Sequence, residues 1–177
     1  MGTLLQFFKD LGYRLGSSPY LARALVRASW ITWRDNIVIL ELWAGTGNVT
    51  REILKHLSSD SHLTAFEIED KRFVYLKQYE QANVWLIRAN VRRIEDYCER
   101  ETADVIISTL PLGGFDDELL EASLEQIQNV LKPGWTYIQY QYAFQNLGDV
   151  KRYFTLQSLK FEMRNFWPAV IYVTKKP

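Results

Sequence analysis

The chain of 177 residues has few of the side chains that bind metals or form disulfides. It contains one cysteine, Cys98, and two histidines, His56 and His62. A single cysteine excludes an internal disulfide, and this scarcity of thiols and imidazoles argues against a zinc-type site. We therefore expect no bound metal, and we expect these three side chains to be packed or solvated.

A long hydrophobic run is missing as well. No apolar stretch approaches the roughly 20 residues that a membrane-spanning helix needs, and the N-terminus lacks a signal-peptide pattern. An apolar content of 47% and a charged content of 24% are ordinary for a soluble globular protein. The sequence therefore predicts one cytoplasmic domain over 1–177, with an N-terminal helical segment (1–30) and a core (36–177).

The chain also lacks net charge, but its charges are unevenly distributed. Residues 1–35 carry a net charge of +3, residues 151–177 carry +5 and residues 36–150 carry −8. Basic ends on an acidic body indicate a surface for an anionic partner, either lipid head groups or nucleic acid. The other interpretation is an incidental distribution of solvated charges.

An amphipathic helix is predicted at the N-terminus, because apolar residues recur there at helical spacing. Its apolar face consists of Leu4, Phe7, Phe8, Leu11 and Leu15. Such a face either packs on the domain or lies in a membrane interface with its two phenylalanines inserted.

The most informative stretch is V-I-L-E-L-W-A-G-T-G-N-V-T, residues 38–50. A short β-type run opens into a glycine turn, and apolar residues then return at helical spacing. Glycines at such a turn let the backbone approach a ligand, and the first N–H groups of the following helix point at it. We therefore expect a nucleoside-containing ligand at the carboxyl end of this first strand.

Two carboxylates refine the identity of that ligand. Glu67 follows Gly47 by 20 residues, which is the register of the acid that accepts from ribose hydroxyls. The third glycine of a dinucleotide-binding loop is absent, and Glu41 beside the loop would repel a diphosphate but attract an α-ammonium group. These features favour a mononucleoside cofactor over a dinucleotide.

The remaining pattern alternates strands and helices, which predicts a parallel sheet covered on both faces. The tight connection at Trp167-Pro168 indicates that the last strand turns back antiparallel. Helices are expected over Pro19–Ser29, Lys71–Gln81, Phe115–Leu131 and Val150–Leu156. Later strands are expected over Leu63–Ile68, Val84–Arg88, Asp104–Thr109, Thr136–Tyr142, Leu159–Phe166 and Ala169–Thr174.

The ordered segments E-L-W-A-G-T-G, A-F-E-I-E-D, R-A-N-V, I-I-S-T-L-P-L and L-K-P-G-W resemble the motif series of class I S-adenosylmethionine-dependent methyltransferases. The resemblance runs from about Val38 to the end of the chain. It implies an α/β, Rossmann-like domain with a seven-stranded, mostly parallel sheet, an antiparallel last strand and helices on both faces. It also implies S-adenosylmethionine as cofactor and S-adenosylhomocysteine as product.

The resemblance implies roles for individual residues in the cofactor site. Glu41, Ala44, Gly45 and Gly47 would hold the methionine part, Glu67 the ribose and Ile68, with Val91, the adenine. Asn90 stands where the family commonly has an aspartate that accepts from the adenine amino group, and its side-chain oxygen can do the same. Thr109, Leu110 and Pro111 would line the methyl-transfer cleft.

Two tryptophans depart from the family pattern. Trp43 replaces the first glycine of the loop, and Trp135 replaces the second glycine of a K-P-G-G turn. The indole of Trp43 either leans against the cofactor as a wall of its site or fills the site as a plug. For Trp135, packing in the core or on the surface is the simplest interpretation.

Further segments, including G-S-S-P-Y-L-A-R-A-L, S-T-L-P-L and Q-Y-Q-Y, resemble bacterial phospholipid N-methyltransferases. This implies a phosphatidylethanolamine-like substrate, methylated by a peripherally membrane-associated monomer that its N-terminal helix holds on an anionic surface. Tyr140 and Tyr142, on one face of the fifth strand, are candidates to orient the amine or bind the phosphate, unless one of them is core.

Two alternatives remain from the sequence. An enzyme of the rRNA adenine N6-methyltransferase type is disfavoured, because Thr109–Leu112 lacks the amide and the stacking aromatic of an N-L-P-Y-type motif. The acidic body also makes a nucleic-acid partner unexpected. The other alternative is a scaffold with the same fold in which Trp43 blocks cofactor binding.

Overall fold

The computed structural model describes residues 16–165 and 167–177. Seven strands form one sheet in the order β3-β2-β1-β4-β5-β7-β6. They are β1 (Val38–Leu42), β2 (His62–Phe66), β3 (Val84–Ile87), β4 (Ala103–Ser108), β5 (Leu131–Gln141), β6 (Thr155–Glu162) and β7 (Ala169–Lys175). The described α-helices are α1 (Pro19–Ser29), α2 (Asn48–Leu54), α3 (Asp70–Leu76), α4 (Asp117–Val130) and α5 (Leu147–Tyr153).

Strand direction follows the sequence-based prediction. β1, β2, β3, β4 and β5 pair in parallel, while β7 is antiparallel to both β5 and β6. All six residues of β4 are buried, because helices cover both faces of a central parallel strand and leave no face for solvent. The predicted seven-stranded, mostly parallel sheet with an antiparallel last strand is confirmed.

The two faces of the sheet form two separate cores. Alternate residues of β1 show the division: Ile39 packs with α1 and α2, whereas Leu40 and Leu42 pack with α4 and α5. This alternation follows from the two-residue period of a strand. Because β1 to β5 run parallel, the loops that follow them meet at the carboxyl end of the sheet, where a ligand site forms in such folds.

Side-chain caps set where two of the helices begin. The hydroxyl of Ser18 accepts from the backbone N–H of Leu21 at 3.2 Å, just before Pro19. The carboxylate of Asp116 accepts from the N–H of Leu119 at 2.8 Å at the start of α4. Both residue types are typical helix N-caps.

Near the C-terminus the observed elements differ from the predicted ones. The predicted helix over Val150–Leu156 ends at Tyr153, and the strand predicted from Leu159 begins at Thr155. Thr155 and Leu156 pair with Lys175 and Thr174 of β7, so a cross-strand partner distant in sequence decides their conformation. Local helical spacing carries no information about that partner.

The predicted amphipathic helix of residues 4–15 lies outside the described residues. The division of the chain into a segment 1–30 and a core 36–177 stays a prediction. Among the helices of residues 16–165 and 167–177, none is long and apolar enough to cross a membrane.

Candidate cofactor and methyl-transfer site

The glycine turn after β1 adopts a backbone conformation that few residues tolerate. Trp43, Gly45 and Gly47 all have positive φ, at 63°, 62° and 89°. The N–H of Ala44 donates to the carbonyl of Phe66 at the end of β2 (2.9 Å). A Cβ added to Gly47 would overlap the ring of Tyr79, whereas one added to Gly45 would meet no atom within 4 Å. A side chain at Gly47 would therefore have no room, whereas the backbone at Gly45 is accessible to a ligand.

Glu67 fixes this turn to the end of β2. Its side chain is buried, and its Oε2 accepts from the N–H of Gly45 at 2.8 Å. Its Oε1 accepts from the N–H of Glu69, also at 2.8 Å. Since an ionised carboxylate has about four acceptor positions, both oxygens keep capacity for ligand hydroxyls.

An open cleft with a volume of about 180 Å³ lies beside the turn. Apolar side chains form most of its wall, and the carboxylate of Glu67 supplies an acidic acceptor. Its lining comprises Leu42, Trp43, Phe66, Glu67, Ile68, Ala89, Asn90, Val91, Leu110, Phe115 and Leu119. Apolar surfaces for a base, next to a buried acceptor for hydroxyls and an open glycine backbone, fit a nucleoside-bearing cofactor.

The structure brings six of the predicted cofactor-binding residues together in this cleft. They are Trp43, Glu67, Ile68, Asn90, Val91 and Leu110. Asn90 also caps the following 3-10 turn, because its Oδ1 accepts from the N–H of Arg92 at 3.0 Å. That bond orients the amide and leaves one lone pair of the oxygen for an adenine amino group. Ala44, Gly45, Gly47 and Pro111 belong to the adjoining backbone turns rather than to the cleft wall.

Glu41 occupies a different position, buried between β1 and α2. The hydroxyl of Thr50 donates to its Oε2 at 2.6 Å, and its Oε1 has no partner among the described residues. Burial raises the pKa of Glu41 to about 8, with the carboxylate of Glu67 contributing in the same direction. The carboxyl is therefore mostly protonated at neutral pH, and it stands behind the turn rather than in the cleft wall.

At the end of β4, buried amides hold the backbone that borders the cleft. The hydroxyl of Thr109 donates to the carbonyl of Trp43 at 2.6 Å, joining the two loops. The carbonyl of Leu110 accepts from the side-chain amides of Gln139 at 2.9 Å and Gln141 at 3.2 Å. Gln139 in turn accepts from the hydroxyl of Tyr137 at 2.8 Å.

Sequence reasoning did not identify Gln139 and Gln141 as part of the site. Both are buried, and they lie on the same face of β5 as Tyr137. Two glutamines at alternate positions of the aromatic and aliphatic stretch of residues 137–142 were the available signal, since buried amides need partners. Their partner proves to be the carbonyl of Leu110, one of the residues predicted at the methyl-transfer cleft.

Tyr140 lies on the opposite face of β5, near its carboxyl end, and Tyr142 directly follows the strand. Their rings meet edge to face, with centroids 5.6 Å apart and an interplanar angle of 81°. Burial raises the pKa of Tyr140 far above its ordinary value, and the neighbouring Tyr142 adds to the shift. Tyr140 therefore stays protonated at neutral pH and cannot act as a base.

Comparisons with known proteins agree with this geometry. A family model described as "Methyltransferase domain" matches residues 39–134. The ornithine lipid N-methyltransferase of Singulisphaera acidiphila is 31% identical over 165 residues, which cover 88% of this chain and 83% of that protein.

Two solved structures share the fold at lower identity. The N-methyltransferase NodS from Bradyrhizobium japonicum WM9, in complex with S-adenosyl-L-homocysteine, has a TM-score of 0.75 and 13% identity over 93% of this chain and 91% of that chain. TrmN from Thermus thermophilus has a TM-score of 0.72 and 20% identity over 90% of this chain, but only 49% of that chain. With its glycine turn, buried Glu67 and sheet order in place, the chain belongs to the class I S-adenosylmethionine-dependent methyltransferases, among which it is related to a lipid N-methyltransferase.

Proposed function

We propose that this methyltransferase methylates the amine of a phosphatidylethanolamine-like phospholipid at a membrane surface. The observation that carries the proposal is the relationship to an ornithine lipid N-methyltransferase, an enzyme named for the methylation of a lipid at nitrogen. The paired rings of Tyr140 and Tyr142 near the end of β5 supply what an amine headgroup needs. Aromatic faces attract an ammonium group, and phenol hydroxyls bind its phosphate or orient the free amine.

In the proposed cofactor site, Glu67 binds the ribose hydroxyls and Ile68 and Val91 enclose the adenine. Asn90 accepts from the adenine amino group, and Trp43 forms one wall. Bound S-adenosylmethionine supplies an electrophilic methyl group on a sulfonium centre. Glu41, Ala44, Gly45 and Gly47 shape the pocket for its methionine part.

The chain's own contribution to the reaction is alignment and exclusion of water, because methyl transfer is an in-line displacement. Thr109 and the two glutamines fix the loops at the ends of β1 and β4. Pro111 and Leu110 border the path along which the amine approaches. Because Tyr140 keeps its proton, it does not take one from the substrate. The amine therefore loses its proton to solvent before it reacts, and Tyr140 orients it.

The test uses vesicles that contain phosphatidylethanolamine, with methyl-labelled cofactor. We expect label in the lipid, and we expect Tyr142→Ala to lower kcat/KM by about tenfold or more, as the loss of a positioning contact does. Tyr142→Phe should be affected less, since it keeps the ring. Tyr75→Ala serves as the matched control because Tyr75 is exposed on α3.

Calorimetric titration with S-adenosylhomocysteine accompanies the assay and separates two kinds of failure. Cofactor binding without incorporation into any amine lipid would contradict the proposed substrate class. Absence of cofactor binding would instead favour a scaffold whose loop is blocked by Trp43.

A further inference from the structure

Apolar side chains are exposed where β6 turns into β7. Phe161 and Met163 expose 59% and 68% of their surface, and Trp167 exposes 38%. Phe144, which follows β5, is 57% exposed and meets Phe161 edge to face at a centroid distance of 6.2 Å. We call these four residues the apolar rim. Clustered apolar exposure of this kind marks an interaction surface.

The apolar rim lies at the same end of the sheet as the candidate site. β5 and β7 are antiparallel, and Gln141 pairs with Val170, so the start of β7 is level with the end of β5. Glu162, the last residue of β6, pairs with Ala169 at that level. A ligand that contacts the rim therefore lies at the end of the sheet where Tyr140 and Tyr142 are found, although Phe161 pairs with Val170 on the face opposite Tyr140.

Basic side chains lie along α1 and near the end of β6. The guanidinium groups of Arg164 and Arg23 lie 4.7 and 5.7 Å from the centroid of the Tyr20 ring, and the ammonium of Lys160 lies 5.8 Å from that of Trp30. The N–H of Ser18 donates to Asn165 at 3.2 Å, which joins the start of α1 to the β6–β7 connection.

These cations give the surface a positive charge. Arg164 is neutralised by Glu162, whose carboxylate lies 3.0 Å from it. Within 16–165 and 167–177, no carboxylate forms an ion pair with Arg23, Arg27 or Lys160, and all three are exposed. We call Arg23, Arg27 and Lys160 the basic flank.

We propose that the apolar rim and the basic flank together form a membrane-docking surface. The rim inserts among the lipids of an anionic bilayer while the flank binds their phosphates, which presents headgroups to the paired tyrosines. This inference rests on the proposed lipid substrate and adds where on the fold the bilayer is met. Aromatic and aliphatic side chains bordered by arginine and lysine are the composition that binds such interfaces.

Charge disfavours a second copy of the chain as the occupant. In a twofold dimer the same patch meets itself, so the cations of one basic flank would face those of the other. Like charges brought together across an interface oppose association. Anionic lipid complements the flank without that conflict.

The test compares the full chain with the double variant Phe161→Glu/Met163→Glu in flotation with vesicles of phosphatidylethanolamine and phosphatidylglycerol. We expect the added carboxylates to lower vesicle binding by about tenfold or more, through lost insertion and repulsion from anionic lipid. The KM for vesicular lipid should rise, while turnover of a short-chain, monomeric phosphatidylethanolamine should be unchanged. Titration with S-adenosylhomocysteine checks that the variant is folded.

Trp33→Glu is the matched control. Among the large apolar side chains of residues 16–165 and 167–177, Trp33 is the most exposed, at 82%, and it precedes the amino end of β1. Its neighbour Arg34 stacks on Trp135 near the start of β5, at the opposite end of the sheet. We expect this variant to bind vesicles like the unmodified chain.

Four outcomes would overturn the docking surface: no vesicle binding by the unmodified chain, equal binding by the double variant, an equal loss in the control, or a dimer that the double variant dissociates. Rim-dependent binding without methylation of any lipid would support the docking surface and contradict the proposed function. The docking surface and the proposed function can therefore be disproved independently of each other.

Discussion

The two ends of the candidate site are built on different principles. Around β1 and β2, the backbone forms the site: Gly45, Gly47 and the buried carboxylate of Glu67 fix one turn against another. Around β5 and the β6–β7 connection, side chains form the proposed substrate end: the paired tyrosines, the apolar rim and the basic flank. A cofactor shared across a family requires the same backbone geometry each time, whereas a substrate can be recognised by side chains that vary on a common frame.

The largest effect is expected from Gly47→Ala, which tests whether the backbone defines the cofactor end. A Cβ there would overlap Tyr79, and φ is 89°. The left-handed conformation alone costs roughly 1–2 kcal/mol for a non-glycine residue. We expect a lower melting temperature and loss of measurable S-adenosylhomocysteine binding by calorimetry.

Gly114→Ala is the control for this substitution, since a Cβ there meets no atom within 4 Å and its φ is not positive. Gly47→Ala with unchanged cofactor affinity would break the proposed distinction between the two ends. Tyr142→Ala should leave cofactor affinity unchanged. A loss of cofactor affinity in that variant would also contradict the distinction between the two ends.

The second effect in size is expected from Glu67→Gln. A glutamine offers one oxygen in place of two, so the N–H of Gly45 or of Glu69 would face an NH₂ group. An unmade buried hydrogen bond costs about 1–3 kcal/mol, which corresponds to a loss of roughly 5–150-fold in affinity. Calorimetry with S-adenosylhomocysteine and with adenosine should show a similar loss for both ligands, because the defect is at the ribose.

Glu125→Gln, an exposed substitution on α4, should bind both ligands normally. If Glu67→Gln weakened S-adenosylhomocysteine but not adenosine, the carboxylate would act on the methionine part instead, and its assignment to ribose would be wrong.

At the cofactor end, the protonation of Glu41 is expected to make the stability of the fold depend on pH. Its pKa is raised to about 8, so between its ordinary pKa of 4.5 and that value the folded state keeps a proton that the unfolded state releases. Wild-type stability therefore falls as pH rises through this window, by up to about 1.4 kcal/mol per pH unit, and levels off above it. Glu41→Gln resembles the neutral form and should lack this loss.

Thermal unfolding at about pH 5 and about pH 8 measures the difference. The variant should gain stability relative to wild type at the higher pH. Glu52→Gln on α2, whose carboxylate forms an ion pair with Lys55, is the control and should follow the wild-type curve. Parallel curves for Glu41→Gln and wild type would show that the buried carboxyl is ionised.

The difference between the two ends also explains what the sequence could predict. The glycine turn and Glu67 were recognisable because backbone conformation and spacing restrict the residue type at those positions. The bonds from Gln139 and Gln141 to Leu110, and the start of β6 at Thr155, depend on partners about 20 to 31 residues away. The apolar rim was not predicted, because a single sequence does not show which apolar residues remain uncovered.

Trp43 combines a backbone constraint with a side-chain contact, and its replacement is expected to have the smallest effect. A non-glycine residue with a φ of 63° occupies a glycine position, and its indole is part of the cleft wall. Trp43→Gly should relieve backbone strain yet remove an aromatic contact worth about 1 kcal/mol, which lowers S-adenosylhomocysteine affinity roughly fivefold. Trp43→Phe should retain most of the affinity because it keeps a ring on the same backbone. Tighter binding by the glycine variant in calorimetry would mean that the indole obstructs the cofactor, and the side chain would then be a plug rather than a wall.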